Sequence, residues 1–164
     1  MTQPVRYVTA ADGVQLAWAE HGRGPPLVKA ATWLTHLQHD VASPVWAHWV
    51  RFLGGHFRYV RYDERGCGMS DWSAGELALP RWVEDLETVI DAAGIDRPMV
   101  LLGISQGHVQ LLEAGFAGGA LFLQLVQVGV DLGQLGDALG AEVPRLRRIL
   151  GRVGEDDDGA GGED

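Results

Sequence analysis

The residues best suited to chemistry lie in Gly103-Ile104-Ser105-Gln106-Gly107, which follows the apolar run Pro98-Met99-Val100-Leu101-Leu102. A serine flanked this way at the end of a strand is set in a sharp turn. The glycines lack a Cβ, so strand and following helix can approach closely while the hydroxyl projects from the carboxyl end of the sheet. The N–H of Gln106 then opens a helix, where unpaired donors and the helix dipole favour a developing oxyanion. Ser105 is therefore the candidate nucleophile, and Gln106 a candidate oxyanion donor, for attack on an ester, amide or related carbonyl. In a chain this rich in glycine the five-residue pattern arises by chance in roughly one chain in ten, so the assignment depends on the elements on either side.

Those elements read as strands alternating with helices. Val5 to Val8 and Val14 to Glu20 flank Asp12-Gly13, a pair that favours a tight hairpin turn. His21 to Pro26 is a loop by its Gly and Pro content, and Leu27 to Ala31 is a short strand. From Pro44 to Leu53 the residues Val45, Trp46, Trp49, Val50 and Leu53 share one helical face, with Ser43 as N-cap. Phe57 to Arg61 is again strand-like. From Pro80 to Ala93 the residues Trp82, Val83, Leu86, Val89 and Ile90 recur at helical spacing, and Gly94 ends the run. This alternation implies βαβ units around a mostly parallel sheet with an opening antiparallel hairpin.

The loop Asp63-Glu64-Arg65-Gly66-Cys67-Gly68-Met69-Ser70-Asp71 adds the context. With residues 103 to 107 it resembles the α/β-hydrolase family, whose members commonly carry Asp-x-Arg-Gly-x-Gly-x-Ser before the elbow serine. Leu-Val-Lys-Ala-Ala-Thr-Trp, Arg-Tyr-Asp-Glu-Arg-Gly-Cys-Gly-Met-Ser-Asp-Trp and Leu-Gly-Ile-Ser-Gln-Gly look more narrowly like bacterial hydrolase-like domains. Some of those stand alone and others precede a cyclase or transcription-regulator module. The resemblance covers residues 5 to 107. It implies the N-terminal part of an α/β-hydrolase fold with helices on both faces of a sheet left incomplete. It also puts a second oxyanion N–H on or near Trp33, although Ala31-Thr32 stand where the family usually has His-Gly. Asp63 and Arg65 are expected to pair and pin their loop.

The remaining candidates have plainer readings. His36, His39, Asp40 and His48 lack the further ligand pair a metal site needs, and no cofactor or metal is expected. Cys67 sits in no visible thiolate-stabilising environment and has no partner for a disulfide. The tryptophans at 18, 33, 46, 49, 72 and 82 read as core or pocket wall. Six acids at 155, 156, 157, 158, 163 and 164 carry most of the net charge of −9, so no basic face for nucleic acid is indicated. No apolar run has the length of a membrane span and no export signal opens the chain. The expectation is a cytoplasmic protein, away from membranes, acting on a small-molecule acyl substrate or ligand.

The pattern breaks after Gly107. The family order is Ser, then acid, then His, yet the last histidine here is His108, only three residues beyond Ser105. On the elbow helix its side chain points along the helix rather than over the hydroxyl. Asp131 is a candidate acid if Leu121 to Val130 forms the sixth strand. All tryptophans and tyrosines precede residue 108, and the remainder is dominated by Gly, Ala, Leu, Val, Arg and acids. Three segments are therefore expected: 1–107 as the hydrolase portion, 108–153 as a divergent or frameshifted continuation in part ordered, and 154–164 as an acidic disordered tail. The chain then reads as a truncated or inactive hydrolase, or else as a non-catalytic sensor or interaction domain that retains the pocket. Leu121 to Val130 reads as either a strand or a helix. If it does not pair, the strand at 98 to 103 presents an open edge for self-association.

Overall fold

The computed structural model describes residues 3–32, 34–96, 99–113 and 121–125. Along the chain these form β1 (Arg6–Thr9), β2 (Gln15–His21), β3 (Pro26–Lys29), α1 (Leu37–Asp40), α2 (Ala47–His56), β4 (Arg58–Tyr62), α3 (Leu79–Ala92), β5 (Val100–Ile104), α4 (Gln106–Glu113) and β6 (Leu121–Leu125). The six strands make one sheet in the order β1-β2-β4-β3-β5-β6. β1 and β2 form the antiparallel hairpin, registered Arg6 with Trp18 and Thr9 with Gln15. β2 meets β4 antiparallel, and β4, β3, β5 and β6 run parallel.

Alternation along the strands divides the residues between two faces. Leu16 and Trp18 of β2, Val28, Val60, Tyr62 and Leu101 join Leu86, Val89 and Ile90 of α3 in one buried cluster. Each of those aliphatic side chains contributes about 1.5–3 kcal/mol by leaving water. The intervening residues Ala17 and Ala19 pack with Leu37 of α1 on the opposite face. His21 has the same parity, and its ring lies so close to Gly54 that a side chain there would collide with it. α2 therefore covers that face too. The expected doubly covered, mostly parallel sheet is present.

One helix boundary differs from expectation. The helix expected from Pro44 begins at Ala47, because Pro44-Val45-Trp46 form a preceding turn. Ser43 still caps that turn, its Oγ accepting from the Val45 and Trp46 N–H groups at 3.1 and 3.4 Å. Val45, expected on the buried face, is 44% exposed. The ambiguous run from Leu121 is a strand, pairing Val100 with Leu121 and Ile104 with Leu125. β6 thus covers the edge of β5 on which self-association was expected to depend. Residues 126–164, including Asp131 and the acidic tail, lie outside the described residues.

Candidate active site

β3 stands between β4 and β5, so the chain leaves β3 towards one side of the sheet and leaves β5 towards the other. At such a reversal of strand order a crevice opens beyond the carboxyl ends, which is where open α/β sheets bind ligands. Three segments meet there: Ala30 to Thr32 after β3, Asp63 to Ser70 after β4, and Ser105 after β5.

Ser105 links β5 to α4 with φ of +54°, a left-handed conformation that a non-glycine residue rarely adopts, and its side is exposed. The tightness of the turn depends on Gly107. A Cβ there would lie 3.1 Å from both the Ala30 and Ala31 carbonyl oxygens, so α4 rests directly on the end of β3. Gln106 is the first residue of α4, with its backbone N–H at the helix start as expected. Trp33, the candidate for the second donor, lies outside the described residues. Its neighbour Leu34 has φ of +63° and is 76% exposed, so the chain turns sharply after β3 as well.

The loop after β4 is pinned, but not by the expected Asp63–Arg65 pair. One Asp63 oxygen accepts from the Leu37 and Met69 N–H groups at 3.1 and 2.9 Å. Gly68 (φ +53°) lies so close to that carboxylate and to the Thr35 carbonyl that no other residue fits. Ser70 donates to the Asp63 carbonyl at 2.6 Å and accepts from the Ala17 N–H at 2.9 Å. Arg65 instead turns towards α3, bonding both oxygens of Asp85 at 2.7 Å and Asp12 of the hairpin turn at 2.6 Å. The planar guanidinium fork suits a bidentate carboxylate, whereas Asp63 is occupied by backbone donors.

Two charged groups at this end of the sheet carried no sequence signal. Glu64 is 4% exposed and accepts from the Gln106 Nε2 at 2.8 Å and the Gln110 Nε2 at 3.5 Å. Gln110 also donates to the Ala31 carbonyl and accepts from the Tyr62 hydroxyl, both at 3.4 Å. Burial pushes the Glu64 carboxyl above the usual range, against the pull of the Gln106 bond. Lys29, at the end of β3, is 8% exposed with its ammonium 5.9 Å from the centre of the Trp46 ring. Burial lowers its pKa to about 8, with Asp40 opposing that shift.

The Lys29 shift sets a pH dependence. The native amine releases its proton near pH 8, whereas the unfolded chain holds it to about 10.5, so the unfolded state binds more protons in between. Wild-type stability relative to Lys29→Met is expected to rise from pH 8 to pH 10, by at most about 1.4 kcal/mol per pH unit. Denaturant titrations of both proteins at several pH values measure this; parallel curves would overturn it.

Among the described residues no group of three or more His, Cys, Asp and Glu side chains could hold a metal ion. The rings of His36 and His39 lie tilted against each other with their centres 4.2 Å apart. No described helix is long and apolar enough to cross a membrane.

No family model matches the chain. The mitochondrial palmitoyl-protein thioesterases of Homo sapiens and Pongo abelii are each 28% identical to it over 96 residues, covering 58% of this chain and 30% of theirs. An α/β hydrolase from Sphaerobacter thermophilus superposes with a TM-score of 0.55 at 32% identity, over 66% of this chain and 39% of its own. A hydrolase from Pseudomonas aeruginosa gives 0.59 at 28% identity, over 71% and 43%. The chain therefore spans less than half the length of these proteins. Strand order, the turn at Ser105 and these likenesses agree that the chain has the α/β-hydrolase fold, of which it carries the N-terminal part, and that it is similar to proteins of that family.

Proposed function

We propose that this hydrolase-like chain descends from an enzyme that transfers an acyl group to water, with Ser105 as the nucleophile. The observation that carries this is the left-handed, exposed Ser105 between β5 and α4, at the strand-order reversal. Its Oγ would form a bond to an ester, amide or thioester carbon, with its proton passing to a base as the carbonyl oxygen takes up charge. The Gln106 N–H and a backbone N–H on or near Trp33 would receive that charge. The name of the two mitochondrial relatives, palmitoyl-protein thioesterase, denotes an activity within this class.

The composition change after residue 107 and the lack of any histidine beyond His108 support reading the chain as a truncated hydrolase whose triad is incomplete. The same lack favours a second reading, a sensor that binds a ligand in the crevice without chemistry. A fluorophosphonate probe separates them. Slow labelling of the wild-type chain at Ser105, lost in Ser105→Ala, supports the nucleophile. Ligand-induced melting shifts without labelling support the sensor.

A further inference from the structure

We propose that Glu64 is a positioning residue for the turn that carries Ser105, acting through the side chain of Gln106. The consequence for oxyanion binding rests on the reading of Ser105 as nucleophile; the positioning itself does not. Glu64 follows the end of β4 and reaches the start of α4, where one oxygen takes the carboxamides of Gln106 and Gln110. Those residues are four apart, so they stack on one side of the helix, and the carboxylate grips its first turn from that side. Gln110 passes the hold on to the Ala31 carbonyl of the β3 end and to Tyr62 of β4. Glu64, Gln110 and Tyr62 are 4%, 0% and 3% exposed, so water competes little for these bonds.

The hold matters because Ser105 lies in a strained conformation that its surroundings must maintain. Gly107 and the Ala30 and Ala31 carbonyls set how closely α4 approaches β3. They do not fix the rotation of the first turn, which aims the Gln106 N–H. Oxyanion donors act only when held within a few tenths of an ångström of the developing charge. Glu64 supplies the lateral tether, and its bond to the Gln106 side chain is the shorter of its two contacts with α4.

The test uses the full 164-residue chain as wild type, Glu64→Gln, Glu64→Leu and Gln106→Met. The first readout is the ¹⁵N–¹H spectrum. Glu64→Leu is expected to move the Gln106 side-chain NH₂ pair to free-carboxamide positions and to shift the backbone amides of Gln106 and Gly107. Glu64→Gln, which retains an acceptor oxygen, is expected to leave them near wild type. The second readout is fluorophosphonate labelling at saturating probe. Glu64→Leu is expected to slow the maximal rate about 10- to 100-fold with little change in half-saturation, and Glu64→Gln to stay within about threefold of wild type.

Should Glu64→Leu fail to fold, Gln106→Met cuts the same tether from the helix side and is expected to shift the same backbone amides and slow labelling as much. Unmoved amides in the folded variants would overturn the proposal, as would Glu64→Gln behaving like Glu64→Leu. A wild type that never labels, with the amide shifts present, would remove the nucleophile reading and leave the positioning role standing.

Discussion

Turnover of a p-nitrophenyl ester by this chain is expected to stay well below about one per second, a rate that ordinary enzymes exceed. If Ser105 is the nucleophile, as proposed, the sequence supplies no histidine after His108 to take its proton. When a serine nucleophile loses its histidine the maximal rate falls by about a million, and what remains, about 10³ to 10⁴ over water, comes from the oxyanion donors and substrate binding. The histidines whose side chains are described are at 21, 36, 39, 48 and 56. His21 packs on Gly54, the rings of His36 and His39 lie tilted against one another, and the rings of His48 and His56 lie against Trp49 and Phe52. No hydrogen bond joins any of them to Ser105 among the described residues. The assay is initial-rate hydrolysis by wild type and Ser105→Ala. Turnover above about one per second that vanishes in Ser105→Ala would mean that a base is in place and the triad reading is wrong.

The fold was legible wherever a backbone requirement left a residue-level mark. Asp12-Gly13 marked the hairpin, and Gly13 has the positive φ, +91°, that its turn demands. Gly94 (φ +62°) ends α3 within a residue of the expected place. Gly107 foretold the close contact of α4 with β3, and the glycine–serine pattern foretold the strained turn at 105. Each is a local constraint, in which the residue type and the conformation it permits stand at one position.

Long-range pairing left no such mark. Arg65 and Asp63 are two apart, and opposite charges so close suggested a pair. Register instead brings Asp85 and Asp12, 20 and 53 residues away, to the guanidinium, while Asp63 faces backbone donors. Nothing in the sequence marked Glu64, in the loop after β4, or Lys29, at the end of β3, as buried. A parallel strand covered on both faces buries even a polar residue such as Lys29, and Glu64 is buried only because α4 packs over its loop, so polarity gave no warning. The Pro44 boundary failed differently: a serine cap starts a turn as readily as an α-helix, and the apolar spacing of Val45 and Trp46 could not separate the two.

The largest stability effect is expected at Arg65. Arg65→Met should destabilise the chain by about 3–5 kcal/mol, because it leaves Asp85 as an uncompensated charge in the core. The side chains of Arg65 and Asp85 are both 1% exposed, whereas Asp12 is 30% exposed and can be rehydrated. The guanidinium also donates to the Ala74 carbonyl at 3.2 Å, so its loss frees the segment leading into α3 as well. In a chain of this size the melting temperature should fall on the order of 10 °C. Two further measurements separate an orphaned charge from lost packing. Arg65→Met with Asp85→Leu should be more stable than Arg65→Met alone, since removing both partners of a buried pair costs less than stranding one. The defect of Arg65→Met should also shrink on acidification. Burial already pushes the Asp85 carboxyl up, and without Arg65 it rises further. Between the unfolded and native pKa values the native state then holds the extra proton, so stability falls as pH rises and is regained as pH drops. A deficit that stays constant from pH 8 to pH 5, together with a double variant no better than the single, would mean that Arg65 acts through packing alone and that the ion pair does not hold the loop after β4 to α3.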